Sequence, residues 1–206
     1  MVLVLDSNRM KQPIIIGITG GIGGGKSTLS DRLCERGYKI YNSDLRARLL
    51  QNEDLELVNA IKKLLGDDIY KNGELDRPAV AAIVFQNKAL LQQLNQLVHP
   101  AVRADFKRWK EVYNTEKLLF VESAIMFESG LALLMDKVVL MTASEEVRIA
   151  RVVKRDGISP EQVRARMMHQ LPEDEKIKRA HYVIHSDDHQ PLNDKIDALL
   201  RDLDEL

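Results

Sequence analysis

Residues 20–27 read Gly-Gly-Ile-Gly-Gly-Gly-Lys-Ser and fit the pattern G-x-x-x-x-G-K-[ST]. Each residue type in that pattern has a chemical reason. Glycines let the backbone adopt φ > 0 and turn its amides inward as an anion-binding nest. A helix starting at Lys26 would aim its positive dipole end at the same point. Lys26 would reach the β- and γ-phosphates of a nucleotide, Ser27 would place its hydroxyl on Mg²⁺, and Thr28 would meet the α-phosphate. Gly21, Gly23, Gly24 and Gly25 supply the backbone of the cradle. A dinucleotide-binding loop fits less well, because that turn needs no Lys-Ser pair and no acid closes a suitable second strand.

The surroundings meet the requirements of such a loop. Ile14 to Ile18 is a short β-branched run, as expected for a strand buried on both faces. Lys26 to Glu35 has Leu29 and Leu33 one turn apart on one helical face, and Gly37 is a stop signal. Further strands are expected at Tyr38–Tyr41, Leu118–Val121, Lys137–Met141 and His181–His185. Helices are expected at 145–155 and 193–203, with a capping box starting another at Ser159-Pro160-Glu161-Gln162. From Leu45 to Phe106 the chain is mostly helical, with expected breaks at Gly66, Gly73 and Pro100. Strands separated by helices imply a parallel sheet covered on both faces. The expected organisation is an N-terminal extension over 1–13, a domain over 14–206, and within it a helical insertion over 45–110.

Composition narrows the classes. The chain has 206 residues, 30 Lys and Arg, 31 Asp and Glu, and a net charge of −1, which speaks against a protein that coats nucleic acid. One cysteine, Cys34, excludes an intramolecular disulfide and a thiol-rich zinc site. No apolar run approaches the roughly 20 residues of a membrane span, and no signal-peptide core is evident, so a cytoplasmic protein is expected.

A phosphate loop implies a nucleotide, not a reaction. A guanine-reading N-K-x-D is missing, since Asn87-Lys88-Ala89-Leu90 has no Asp in place. Asp44 follows the second expected strand, at the carboxyl edge where ligands bind in parallel sheets. It could take a proton from an acceptor hydroxyl, or equally cap the next helix. Arg148, Arg151 and Arg155 share one helical face, and residues 148–179 carry nine basic and five acidic side chains, a local +4. That excess suits a lid closing over ATP, although a solvated face is the plainer reading of any single arginine. Glu122, ending the third strand, is a candidate to meet Mg²⁺ through water, or to play an ordinary hydrogen-bonding role.

From Ile14 to about Leu203 the chain resembles the dephospho-coenzyme A kinase family. Gly17 to Thr28 resembles that family's GLTGGIGSGKS opening, and Asn42-Ser43-Asp44 with Arg46-Ala47-Arg48 resembles D-A-D-x-x-A-R. Gly73-Glu74-Leu75-Asp76-Arg77 with Ile83-Val84-Phe85 resembles G-x-L-D-R…I-V-F, and His99-Pro100-Ala101-Val102-Arg103 resembles H-P-x-I-R. Val121–Glu128 resembles L-E-V-P-L-L-F-E, while Arg151, Arg155-Asp156-Gly157-Ile158-Ser159, Gln170 and Glu175-Lys176 resemble the lid region. The resemblance implies a three-layer P-loop NTPase fold with a helical substrate-binding insertion and a helical lid. It implies transfer of a phosphoryl group from ATP to the ribose 3′-hydroxyl of dephospho-CoA, the last step of coenzyme A synthesis. Lys26 and Asp44 would be catalytic, Arg151 and Arg155 would join the ATP site, and Arg77, His99 and Arg103 would bind the acceptor together with Asp44. No nucleic acid, no membrane and a monomer or weak homo-oligomer are expected. Two departures stand out: Asn42 replaces the first acid of D-A-D, and Ser123-Ala124-Ile125-Met126 lacks the family's proline. A kinase of another small hydroxyl or nucleotide acceptor, and a slow nucleotide-dependent switch, are the competing readings.

Overall fold

The computed structural model describes residues 12–206; most of the expected N-terminal extension, residues 1–11, lies outside the described residues. The chain forms two compact units, one of residues up to 41 together with 110–206, the other of residues 42–109.

The first unit is built on parallel strands. β1 (Ile14–Thr19) pairs on one side with β5 (Leu118–Glu122) and on the other with β6 (Lys137–Thr142), which in turn pairs with β7 (Tyr182–His185). With β2 (Lys39–Asn42) at the edge beside β5, the sheet order is β2-β5-β1-β6-β7. Central strands are mostly apolar, because both faces are covered: Leu119, Phe120 and Val121 are all fully buried, and polar residues such as Thr19 and Glu122 come at the carboxyl ends. On one face, Ile16, Ile18, Phe120, Val139 and Met141 pack against Leu29 and Leu33 of α1 (Lys26–Glu35) and Ile196, Leu199 and Leu203 of α9 (Leu192–Asp204).

α6 (Glu145–Asp156) and α7 (Pro160–Met167) form a smaller apolar cluster of Ile149, Val152 and Val163, joined by Ile22 of the glycine loop. The expected capping box is present: the Ser159 hydroxyl accepts from the Gln162 amide and the Gln162 side chain accepts from the Ser159 amide. α8 (Glu173–Arg179), a helix absent from the sequence expectations, leads into β7.

The second unit is helical, with α2 (Ser43–Glu53), α3 (Leu55–Leu65), α4 (Arg77–Phe85) and α5 (Lys88–Val112), the last running on into the first unit. Two expectations need correction. Pro100 does not break the chain but lies inside the 25-residue α5. An internal proline costs about 3 kcal/mol. Here Leu94, Val98, Val102 and Phe106, spaced four apart across Pro100, are all buried, and that packed stripe outweighs the lost bond. Gly73 does more than interrupt a helix. Asn72 (φ 53°) and Gly73 (φ 85°) form the tight turn of a hairpin between β3 (Tyr70–Lys71) and β4 (Glu74–Leu75). Positive φ at both central residues matches the twist of the flanking strands, which is why Asn-Gly is favoured there.

The α1 contact carries a test. Leu33 is fully buried against the sheet, so Leu33→Ala should lower unfolding free energy by about 2–5 kcal/mol in urea titration. A loss under about 1 kcal/mol would mean that this face is not a tightly packed core.

Candidate active site

The glycine loop lies between β1 and α1. Gly25 is the residue preceding α1 and has φ 100°, a left-handed conformation that a side chain would strain. Lys26 opens the helix, and its Nζ donates to the carbonyl oxygens of Gly20 (2.8 Å) and Gly21 (3.3 Å). The ammonium is thereby held over the loop, where bound phosphates would lie.

Ser27, one residue on, donates its hydroxyl to Glu122 Oε1 at 3.2 Å. Glu122 is buried at the carboxyl end of β5, directly opposite Ile18 in the parallel register. A hydroxyl and a carboxylate side by side are hard oxygen donors of the kind a Mg²⁺ ion takes, alone or through its waters. Among the described residues there is no group of three or more His, Cys, Asp or Glu placed to hold a metal. A cation here would therefore rely on Ser27, Glu122 and oxygens of the nucleotide itself.

Residues of α6 and the segment after it reach the loop. Arg151 donates through Nη1 to the Gly23 carbonyl (3.3 Å) and the Ser186 hydroxyl (2.7 Å), and through Nη2 to the Ser186 carbonyl (2.9 Å). Ser186 in turn donates to the Gly24 carbonyl. The Gln170 side-chain oxygen accepts from the Ile22 amide at 3.0 Å. A cavity of about 220 Å³ opens beside Gly25 and Thr28, bounded by Arg151, His185, Ser186 and Lys195.

Arg155 behaves differently. Its guanidinium is paired with the neighbouring Asp156, which also takes Arg166. The bond to Asp156 raises the Arg155 pKa, and the bond from Arg155, followed by that from Arg166, lowers the Asp156 pKa. The structure thus brings Arg151, but not Arg155, to the loop.

The remaining candidates belong to the second unit. Asp44 is the second residue of α2, and the cap of that helix is Asn42, whose side chain accepts from the Leu45 amide at 2.9 Å. The capping role that competed for Asp44 therefore falls to Asn42. Arg77 donates to the Arg48 carbonyl (2.7 Å) and the Gln51 side chain (3.2 Å), tying α4 to α2. Its pKa is lowered by burial, and then by Arg48. His99 and Arg103 are one turn apart on α5. Sequence reasoning did not single out Asp105, a buried carboxylate that accepts from Arg46 through both oxygens (2.8 and 3.0 Å) and also from Arg108. The residues of this pair are 59 apart, so local spacing carries no trace of it.

Burial, followed by the nearby Arg103 charge, holds the His99 imidazole below its ordinary value near 6.5. The folded chain then binds fewer protons here than the unfolded chain. Stability from this site is present above the ordinary value and is lost as pH falls through the folded value. The thermal midpoint should fall between pH 7 and pH 5, and His99→Gln should flatten that fall. An unchanged slope in the variant would remove His99 as its source.

The family model described as dephospho-CoA kinase matches residues 14–191. A dephospho-CoA kinase of Chlorobaculum tepidum is 40% identical over 186 residues, spanning 87% of this chain and 89% of its own. Among solved structures, one from Thermus thermophilus superposes with a TM-score of 0.82 at 37% identity, covering 95% of this chain and 99% of its own. A dephospho-CoA kinase from Campylobacter jejuni gives 0.65 at 28% identity, covering 93% and 96%.

Proposed function

Because the chain belongs to the dephospho-CoA kinase family, we propose that it transfers the γ-phosphoryl group of ATP to the ribose 3′-hydroxyl of dephospho-CoA, releasing CoA and ADP. The observation that carries this reading is the phosphate cradle: Lys26 held over the loop at the head of α1, with Ser27 and Glu122 side by side.

The chain's residues divide the work. Amides of Gly21, Gly23, Gly24 and Gly25 and the N-terminus of α1 bind the phosphates, with Thr28 at the α-phosphate end. The cavity beside Thr28 then takes the nucleoside of ATP. Lys26 exchanges its loop carbonyls for phosphate oxygens and stabilises charge as the phosphoryl group moves. Ser27, backed by Glu122, would hold Mg²⁺. The ion, when bound, neutralises charge on the β- and γ-phosphates. Asp44 orients the acceptor hydroxyl and takes its proton as the new O–P bond forms and the bond between the γ-phosphorus and the β–γ bridging oxygen breaks. Arg77, His99 and Arg103 bind the acceptor, where arginine suits phosphate through paired charge-assisted bonds. Residues 148–179 act as the lid, with Arg151 on the ATP side, and its closure excludes water that would otherwise hydrolyse ATP.

A coupled assay for ADP release tests this directly. Release should depend on added dephospho-CoA. Equal release without it, or faster release with a nucleoside monophosphate, would overturn the assignment. In the same assay Asp44→Asn should lower kcat by about 10²–10⁴-fold while ADP binding stays near that of the parent chain. Near-normal turnover in Asp44→Asn would remove Asp44 from the chemistry.

A further inference from the structure

Arg148 was expected to share the lid's charged surface. It is buried instead, with 9% of its surface exposed. Its Nη1 pairs with Glu173 Oε2 at 3.2 Å, joining α6 to the start of α8, and both side chains are mostly covered (10% and 19% exposed). The pair is a single contact. Arg148 Nε and Glu173 Oε1 are both buried without a hydrogen-bond partner among the described residues. Buried ionic groups are costly unless paired, so such a pair persists only where its surroundings hold it in place.

What surrounds it is the phosphate loop. A β-carbon on Gly21 would stand 2.3 Å from Arg148 Nη1 and 3.0 Å from Glu173 Oε2. A β-carbon on Gly23 would stand 2.4 Å from the Arg148 carbonyl oxygen. Two glycines of the loop therefore rest on one residue, one on its guanidinium and one on its backbone. A guanidinium could swing away from a surface contact, but this one is enclosed and ion-paired. Lys176, one turn after Glu173, is also buried, with 1% exposed. Burial lowers its pKa, which Glu173 and then Glu128 oppose and Arg148 reinforces. The Gln170 bond to Ile22 and the packing of Ile22 on α6 and α7 attach the same stretch of loop to the same segment.

We propose that Arg148, fixed by Glu173, is a positioning residue that sets the Gly21–Gly23 stretch of the phosphate loop in its nucleotide-binding shape. The proposal rests on the phosphate-loop reading above and goes beyond it. Arg148 acts through the loop backbone rather than by touching the phosphoryl group, and it makes loop geometry depend on the segment 170–176.

Calorimetric titration with ADP and Mg²⁺, together with KM for each substrate, tests this. Arg148→Met keeps most of the volume and removes the charge, and Glu173→Gln keeps the volume and removes the partner charge. Each should weaken ADP binding and raise KM for ATP by about tenfold, while KM for dephospho-CoA stays within about twofold. The double variant Arg148→Met/Glu173→Gln should lose no more than the worse single change, because the two act as one unit. Arg148→Lys should recover part of the ADP affinity. ADP affinity within about twofold of the parent chain in folded variants, or an equal loss toward both substrates, would overturn the proposal. Should Arg148→Met fail to fold, Glu173→Gln decides alone. Absence of ADP binding in the parent chain would overturn the phosphate-loop reading itself, a different result from unchanged binding in the variants.

Discussion

The nucleotide end of the molecule depends on parallel strand register. β1 pairs Ile18 with Glu122 of β5 on one side and Thr19 with Leu140 of β6 on the other. Because all three strands run the same way, their carboxyl ends fall together, and each contributes to the loop's surroundings. Glu122 arrives beside Ser27 at 3.2 Å. The Met141 carbonyl arrives where a β-carbon on Gly20 would stand only 2.1 Å away. The register is pinned at the other end as well, where Asp136 accepts from the Ile15 amide at 2.7 Å. A slip of one residue would turn every buried side chain to the opposite face and carry Glu122 away from Ser27. The geometry of the candidate site and the packing of the core are thus consequences of the same hydrogen-bond ladder.

A net charge of −1 conceals a sorted distribution. Three arginines share one face of α6 and have three different surroundings. Arg155 pairs with Asp156 at the surface, where such a pair contributes little. Arg151 holds backbone carbonyls of the loop and of Ser186, so its donors already point at the phosphate cradle. Arg148 is enclosed and bears the loop's weight at Gly21. Spacing alone treats the three as equivalent. Their difference comes from what the rest of the chain brings to each turn of the helix.

The boundary between what was legible and what was not follows the same line. The strands at 14–19, 118–122, 137–142 and 182–185 are apolar or β-branched runs, and local composition is enough to find them. The loop and the capping box are also local, since all their groups lie within eight residues. The contacts Ser27–Glu122, Ile22–Gln170, Arg148–Glu173 and Arg46–Asp105 join residues 95, 148, 25 and 59 apart. No periodicity encodes them. Pro100 fails for the opposite reason: its local signal is strong, and four buried side chains of α5 override it. At Asn72-Gly73 the sequence shows only a helix break at Gly73, because strands of two residues leave no alternation to read.

Asn42 shows how a departure from a family pattern can be physically quiet. The position before α2 needs a side-chain oxygen that accepts from an amide of the first turn, and an amide oxygen does this as well as a carboxylate. Asn42 makes that bond to Leu45 at 2.9 Å. Helix initiation therefore does not require a negative charge at residue 42. It also does not require Asp44 to turn back and cap, so the carboxylate two residues on can be assigned chemistry without leaving the helix uncapped. The neutral residue takes the structural role and leaves the proposed chemical one to the acid. That separation lets the site lose one of its two acids without losing the proposed proton acceptor.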